Sequence, residues 1–416
     1  MSAHDDVVLI GGGVIGLASA LALLDAGRSV RVLDAGRLGC GSSHGNCGTV
    51  TPSHAPPLAA PGTIGKVMRW MLTPDAPFYL QPRFDPALWA WFAQFAARCN
   101  ARDWADALRH KGAMLQAARA LFPQWIAHYG FDCQFVESGG EYVFRTEPAF
   151  NRDHAELPML RELGIDAEVL EGAAYERAEP AIRPGVFAAI RFPGDASLRP
   201  DRYVAELARV LRARGGVIEE YCQAHGLTTA ADHVCVDTTQ GPRRARDVVI
   251  AAGAWSPRFA CSAGLAMLPI QPGKGYSITY QSPALTPRRP LVLRERGVCV
   301  TSWGDGYRLG STMEFSGYDS SLNQRRLAAI ERSAAAYLRE PVGPVKREQW
   351  FGWRPVTWDD LPIIGRLPGH RRIWVAAGHG MMGVGMSPAS AQLLSDLICQ
   401  RDPLINPEPY RAERFR

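Results

Sequence analysis

"DVVLIGGGVIGLASALALLDAGRSVRVLDAG", residues 6–36, sets two sequence periods end to end. Val7 to Ile10 is an unbroken apolar run of the kind a strand buried on both faces carries, and Val30 to Leu33 is a second short apolar stretch, interrupted only by Arg31. Between them the apolar residues follow a helical pattern with no proline. The spacing predicts a strand at 6–10, a glycine turn, a helix from 14 to about 26 and a strand at 29–33, a βαβ unit. Gly11, Gly13 and Gly16 spell GxGxxG between the first strand and the helix. Asp34 closes the second strand at the distance where a ribose hydroxyl needs a carboxylate. Gly11 permits the tight turn, Gly13 lets backbone approach a pyrophosphate, and Gly16 lets the helix pack closely. Val14 and Ile15 then open the helix beside the phosphates, where its positive end lies, and Ala35 follows the acid. The unit predicts a bound dinucleotide.

Around this unit the chain has 416 residues, 47% hydrophobic and 21% charged, enough for two domains or one elaborated one. Its 46 basic residues against 41 acidic ones include no long run of either sign, which excludes nucleic acid as an expected partner. The nine cysteines form no CxxC pair, and they read as reduced thiols in a reducing compartment. The start "MSAHDDVVLIGGG" has acids where a secretory signal has basic residues, so the expected location is the cytoplasm. No stretch approaches the roughly 20 apolar residues of a spanning helix. Residues 64–99 carry Trp70, Phe78, Tyr79, Trp89, Trp91, Phe92 and Phe95 among basic residues. That mixture suits peripheral contact with a membrane face, and the plainer reading is a helical cap with aromatics turned to the core.

Farther along, helical periodicity is expected at 86–98, 102–110 and 112–129, then a hairpin in "DCQFVESGGEYVFRT" turning at Gly139 and Gly140. "DRYVAELARVLRARGGVIEEY" repeats the helix, glycine stop and strand rhythm, followed by strands in "HVCVDTT" and "RDVVIAAGAWS". Residues 268–315 read as alternating strands, with a helix near 320–338. The last unit, "IWVAAGHGMMGVGMSPASAQLLSDLI", is strand, glycine loop and helix, with Ser387 and Pro388 read as N-cap and first residue. The expected class is α/β. A discontinuous Rossmann-like domain at 1–60, 195–265 and 345–416 is interrupted by an α+β substrate-binding and cap lobe at 61–194 and 266–344, built on an antiparallel sheet.

One fingerprint alone suits NAD or FAD. The late stretches "VVIAAGAWSP", with Gly253 and Trp255, and "AAGHGMMGVGMSPASA", with Gly378, Gly380, Met381, Met382 and Gly383, provide small residues and a helix start for a large flat cofactor, which favours a flavin.

With these motifs in order the sequence resembles the FAD-dependent D-amino acid dehydrogenases of the glycine/D-amino acid oxidase (DAO) family. The resemblance runs nearly end to end, through "SSHGNCGTVTPSHAPPLAAPG", "PGKGYSIT" and "WRPVTWDDLPIIGR" as well as the motifs above. It implies a non-covalent FAD and oxidation of a D-amino acid to its imino acid, then to a 2-oxo acid, with hydride passing from the α carbon to flavin N5. It also implies that electrons leave to a quinone or other respiratory carrier rather than mainly to oxygen. Arg354 matches the arginine that binds the substrate carboxylate and borders the flavin, and its planar fork suits that pairing. Tyr276 and Met313 match positions near the substrate, and His54 is grouped with them. In the flavin loop Ser42 and Ser43 are expected at phosphates or ribityl hydroxyls, with Asn46, Cys47, Gly48 and Thr49 at the ring.

Cys40, His44, Cys47 and His54 also have the density of a metal site. A tetrahedral zinc would pull this loop off the cofactor, so no metal is expected. His44, Gly45, Cys47 and His54 depart from the general D-alanine-type pattern, which brings in a D-hydroxyproline dehydrogenase as an alternative, its ring hydroxyl read by extra polar groups. A glycine or sarcosine oxidase and a flavin-binding electron-transfer subunit complete the alternatives.

Overall fold

The computed structural model describes residues 4–71 and 76–415. Asp5–Ile10 is a strand, Val14–Asp25 a helix and Val30–Leu33 a strand parallel to the first. Gly11 has φ +115°, and a Cβ there would sit 2.5 Å from the Ala251 carbonyl oxygen. A Cβ on Gly16 would collide with the Gly11 carbonyl, so the helix can rest on its strand only because that position is bare.

This unit lies inside an eight-stranded sheet. Asp5–Ile10 has Val30–Leu33 on one side, followed by Val217–Glu219, and Arg243–Ile250 on the other. The start of Arg243–Ile250 pairs with Val234–Thr238, itself paired with Ala224–Thr229, and its last three residues run parallel to Ile373–Ala377. Ile363–Arg366 completes the sheet antiparallel to Ile373–Ala377. The helices Val14–Asp25 and Gly383–Cys399 pack against each other, with Leu17, Leu21, Leu393 and Leu394 all buried.

The second sheet has nine strands and is mainly antiparallel. It runs in the order Lys346–Thr357, Ile270–Tyr280, Gly306–Phe315, Val298–Trp303, Leu291–Leu293, Gly140–Phe144, Ala188–Phe192 and Glu168–Glu171, with Phe78–Leu80 on the end of Gly306–Phe315. Tyr276, Ile278 and Tyr280 share a core with Leu327 and Ile330 of the helix Gln324–Ala335.

Several expectations change here. Lys346–Thr357, assigned by its motif to the dinucleotide domain, pairs with Ile270–Tyr280 along its whole length, because twelve extended residues find their ladder there. Its contacts with the other side are made by single groups: Glu348 with His44 at 2.8 Å, the Trp353 carbonyl with Ser42, and the Pro355 carbonyl, which accepts from Gly380 N–H at 2.9 Å. The hairpin at 132–146 does not form: Gly140–Phe144 is buried throughout and takes Ala188–Phe192 and Leu291–Leu293 as neighbours, while Val136 bridges Ser197. The two helices expected at 102–110 and 112–129 are one, Ala101–Tyr129, because Lys111 between them is itself a good helix former, and its side chain is buried against Asp360 at 2.6 Å. Gly383, not Pro388, starts the last helix; Ser387 Oγ donates to the Val384 carbonyl at 2.8 Å, the carbonyl that Pro388 has no N–H to serve.

In the aromatic run Trp91 is buried, stacked on Phe95 and close to Phe315, whereas Trp89 and Phe84 are exposed. Residues 72–75 of that run lie outside the described ones. Among the described residues no helix is long and apolar enough to cross a membrane.

Candidate active site

Between the two sheets lies a cavity of about 1330 Å³, bordered at one end by Asp34 and Ala35 and including Arg354, Met313 and Trp91 in its wall. At the Asp34 end the carboxylate is oriented by two backbone donors, Gly12 N–H at 2.7 Å and Gly36 N–H at 2.9 Å. At Gly13 a Cβ would meet only Ser43 Oγ, at 3.5 Å, and would otherwise fill cavity space at the helix N-terminus. The residues present therefore fit a dinucleotide: an aimed acid for a ribose and a bare, positively polarised helix start for phosphates. Val14, Ile15, Asn46, Cys47, Thr49, Gly253, Trp255, Gly380, Met381, Met382 and Gly383 border the same cavity.

Other expected contacts differ. Gly16 lies behind the turn as a packing residue. Gly48 N–H is taken by Asn46 Oδ1 at 2.7 Å and a Cβ there would collide with the Leu198 carbonyl, so it shapes the loop without facing the cavity. Gly378 likewise abuts Thr357. Both serines border the cavity with their hydroxyls engaged: Ser42 donates to the Trp353 carbonyl, and Ser43 Oγ accepts Val14 N–H at 3.1 Å, a helix-capping role. Asn46 Nδ2 donates to the Met381 carbonyl at 3.2 Å, joining the early and late loops.

Arg354 points into the cavity with its guanidinium packed over Gly275, where any side chain would collide with it. Nη1 donates to the Thr312 carbonyl. Burial pushes its pKa down from the usual guanidinium value, and Arg354 has no carboxylate partner among the described residues. A desolvated cation left without a counter-ion is costly, and an anionic ligand relieves that cost. Met313 stands nearby, its sulfur over Gly273.

Tyr276 borders the same cavity but turns its ring away from Arg354 and Met313. Its side chain is on the opposite face of the sheet, in the core under Gln324–Ala335, and its hydroxyl donates to Glu314 at 3.2 Å. Alternation along the strand decides this, because Gly273 lies beneath Met313 and Gly275 beneath Arg354, and the even-numbered residues turn away.

His54 borders the cavity and belongs to a buried polar chain. Tyr142 Oη lies 2.9 Å from His54 Nδ1 and 3.2 Å from Ser53 Oγ, and Ser53 Oγ donates to Asp195 at 2.6 Å. Burial, with the positive charges of Arg294 and Lys111, holds the imidazole down to about 3, so it is neutral. Burial raises Asp195 to about 7, against the hydrogen bonds from Ser53. Arg294, paired with Asp153 and lying over the Tyr142 ring, shares this wall with Lys66 and Arg152. Lys66 is lowered to about 8 by burial and by those two arginines. Sequence reading missed Arg294, Lys66, Arg152 and Tyr142; basic and aromatic residues scattered over 228 positions carry no local signal.

The four residues with metal-site density diverge. Cys40 is exposed, His44 pairs with Glu348 at 2.8 Å outside the cavity wall, Cys47 rests on Gly310, and His54 meets Tyr142. Among the described residues no three His, Cys, Asp or Glu side chains converge to hold a metal ion.

A model of the family described as FAD dependent oxidoreductase (DAO) matches residues 6–397. A D-amino acid dehydrogenase of Granulibacter bethesdensis is 33% identical over 420 residues, covering 98% of this chain and 99% of the relative. One of Methylobacterium nodulans is 33% identical over 425 residues, covering 98% and 99%. The fold is similar to that of glycine oxidase from Geobacillus kaustophilus, with a TM-score of 0.81, 22% identity and 98% of each chain covered.

Proposed function

Because the chain belongs to the DAO family of FAD-dependent oxidoreductases, with FAD as its cofactor, we propose that it is a D-amino acid dehydrogenase, forming imino and then 2-oxo acids. The coarser statement, FAD-dependent oxidation of an amino acid, rests on the family match and on full-length relatives; the D configuration rests on the relatives' names. Bound FAD supplies the acceptor for the hydrogen and electron pair that leave the α carbon.

The observation that carries the reading is Arg354, a buried guanidinium in the cavity with no carboxylate of the protein beside it. Its fork holds the substrate carboxylate, and the Thr312 carbonyl fixes its other edge. Met313 and the aromatic group Trp91, Phe92 and Phe315 keep water from the reacting carbon. Neutral His54, with Nδ1 engaged by Tyr142, leaves Nε2 for a substrate oxygen or for the proton of an ammonium that must be neutral to react. Electrons are then proposed to pass to a quinone-type acceptor, in keeping with relatives named as dehydrogenases.

A second reading has its own support. Arg294, Lys66 and His54 form a polar wall that an alkyl side chain does not need and that a ring hydroxyl does, which favours a D-hydroxyproline. The test of both readings is anaerobic mixing of the holoenzyme with D-amino acids, their L forms, glycine, sarcosine, D-proline and the hydroxy-D-prolines, following loss of flavin absorbance. Bleaching by D forms over L forms supports the first reading; a hydroxy-D-proline at least about a hundredfold better than D-proline supports the second. No bleaching by any of them overturns both.

A further inference from the structure

Cys47 belongs to the early loop and Cys299 to the strand Val298–Trp303 of the other sheet, and both border the cavity. Cys299 is the direct cross-strand partner of Gly310. A side chain at 310 would collide with Cys47 Sγ, so the sulfur of Cys47 occupies the slot that Gly310 leaves empty, beside Cys299. The surroundings are positive. Arg308 is fixed there by the carbonyls of His44 and Asn46, at 2.8 and 2.7 Å, and Arg354 lies on the cavity side.

From this placement we infer that Cys47 and Cys299 are a redox-active dithiol, which a hydroperoxide converts to a disulfide tying the flavin loop to the substrate sheet. The pair is asymmetric. The Cys299 thiol first, and then Arg308 and Arg354, hold Cys47 below the usual cysteine range, while Cys47 and burial hold Cys299 well above it. Cys47 is thus the attacking thiolate and Cys299 the resolving thiol. In the first step a Cys47 S–O bond forms, the peroxide O–O bond breaks, and the alcohol or water leaves with a proton. In the second, the S–S bond forms as Cys299 gives up its proton and the S–O bond breaks, releasing water. Two thiols lose two electrons together and the hydroperoxide gains them.

The other cysteines lack this arrangement. Cys40 and Cys261 are exposed, and Cys133 is pushed up to about 12 by burial. Oxidation would draw the loop of Asn46 toward the Val298–Trp303 strand, on the side of the cavity where Arg354 lies.

The holoenzyme treated with a few equivalents of hydrogen peroxide or tert-butyl hydroperoxide, alkylated, digested and weighed, is expected to give one linked peptide pair, Cys47 to Cys299, two hydrogens lighter than its parts. Substrate reduction is expected to fall by at least about tenfold and to return with dithiothreitol. In Cys299→Ser, dimedone is expected to label Cys47 as its sulfenic acid. The inference is overturned if both thiols remain alkylatable after peroxide, if Cys47 reacts no faster than Cys40 and Cys261, or if Cys299→Ser gives no dimedone adduct at Cys47. The mass readout is independent of which amino acid the enzyme oxidises.

Discussion

Arg354 owes its place to Gly275 of the neighbouring strand, whose missing side chain leaves room for a guanidinium on the sheet surface. A carboxylate held there does not take part in bond breaking, so its loss acts mainly through KM. Arg354→Ala is expected to keep the FAD spectrum and lower kcat/KM at least about a hundredfold, about 2.7 kcal/mol of charged hydrogen bonding; steady-state kinetics over a wide substrate range check it. Asp195 acts at the same scale through pH. Its folded value of about 7 lies above the ordinary 3.8, so between those values the folded protein alone keeps the proton. Stability from this group is full below about pH 4 and is lost as pH rises through 7. The melting temperature of Asp195→Asn minus that of the wild type is therefore expected to be larger at pH 8 than at pH 5. A residue's place was readable in the sequence where a motif frames it, since Asp34 and Arg354 both border the cavity. It was unreadable for Asp195, Ser53, Tyr142 and His54, which meet only after two sheets are assembled.

Among elements, the βαβ unit was readable because its signals are all local: two apolar runs, three glycines and one acid. The Gly383–Cys399 helix shows how a local signal misleads. A serine followed by proline marks a helix start by preference, yet the same two residues persist inside a helix when the serine hydroxyl serves the carbonyl that proline abandons. Ser387→Ala is expected to cost about 1–3 kcal/mol by leaving the buried Val384 carbonyl unpaired. Adding Pro388→Ala, which restores an N–H, is expected to recover part of that, and urea unfolding of the single and double variants checks both. The Lys346–Thr357 strand was misassigned for a related reason. Its motif lies next to flavin-loop sequence along the chain, but ladder pairing along the strand sets its sheet, while isolated contacts such as Glu348 with His44 only hold it against the loop.

For the molecule as a whole, an interrupted nucleotide domain was readable from the recurrence of strand, glycine and helix late in the chain. The pairing of Leu291–Leu293 with Gly140–Phe144 was not, because short apolar runs match many partners and nothing local selects one. Since the FAD cavity has walls from both sheets, cofactor binding is linked to the folded state. Stripping FAD is expected to lower the melting temperature, and restoring it at about a hundred times its Kd is expected to return about 2.7 kcal/mol, read by calorimetry with and without added FAD. The order of strands also has a consequence in time. The Asp5–Ile10 strand is made well before its partners, since its neighbour Arg243–Ile250 follows some 240 residues later and Ile373–Ala377 later still. At about 5–20 residues per second a ribosome exposes that unfinished edge for on the order of ten seconds or more. Throughout that interval the nascent protein has a sticky apolar strand to be shielded, so yield from a cell depends on chaperone supply and growth temperature as well as on the stability of the finished enzyme.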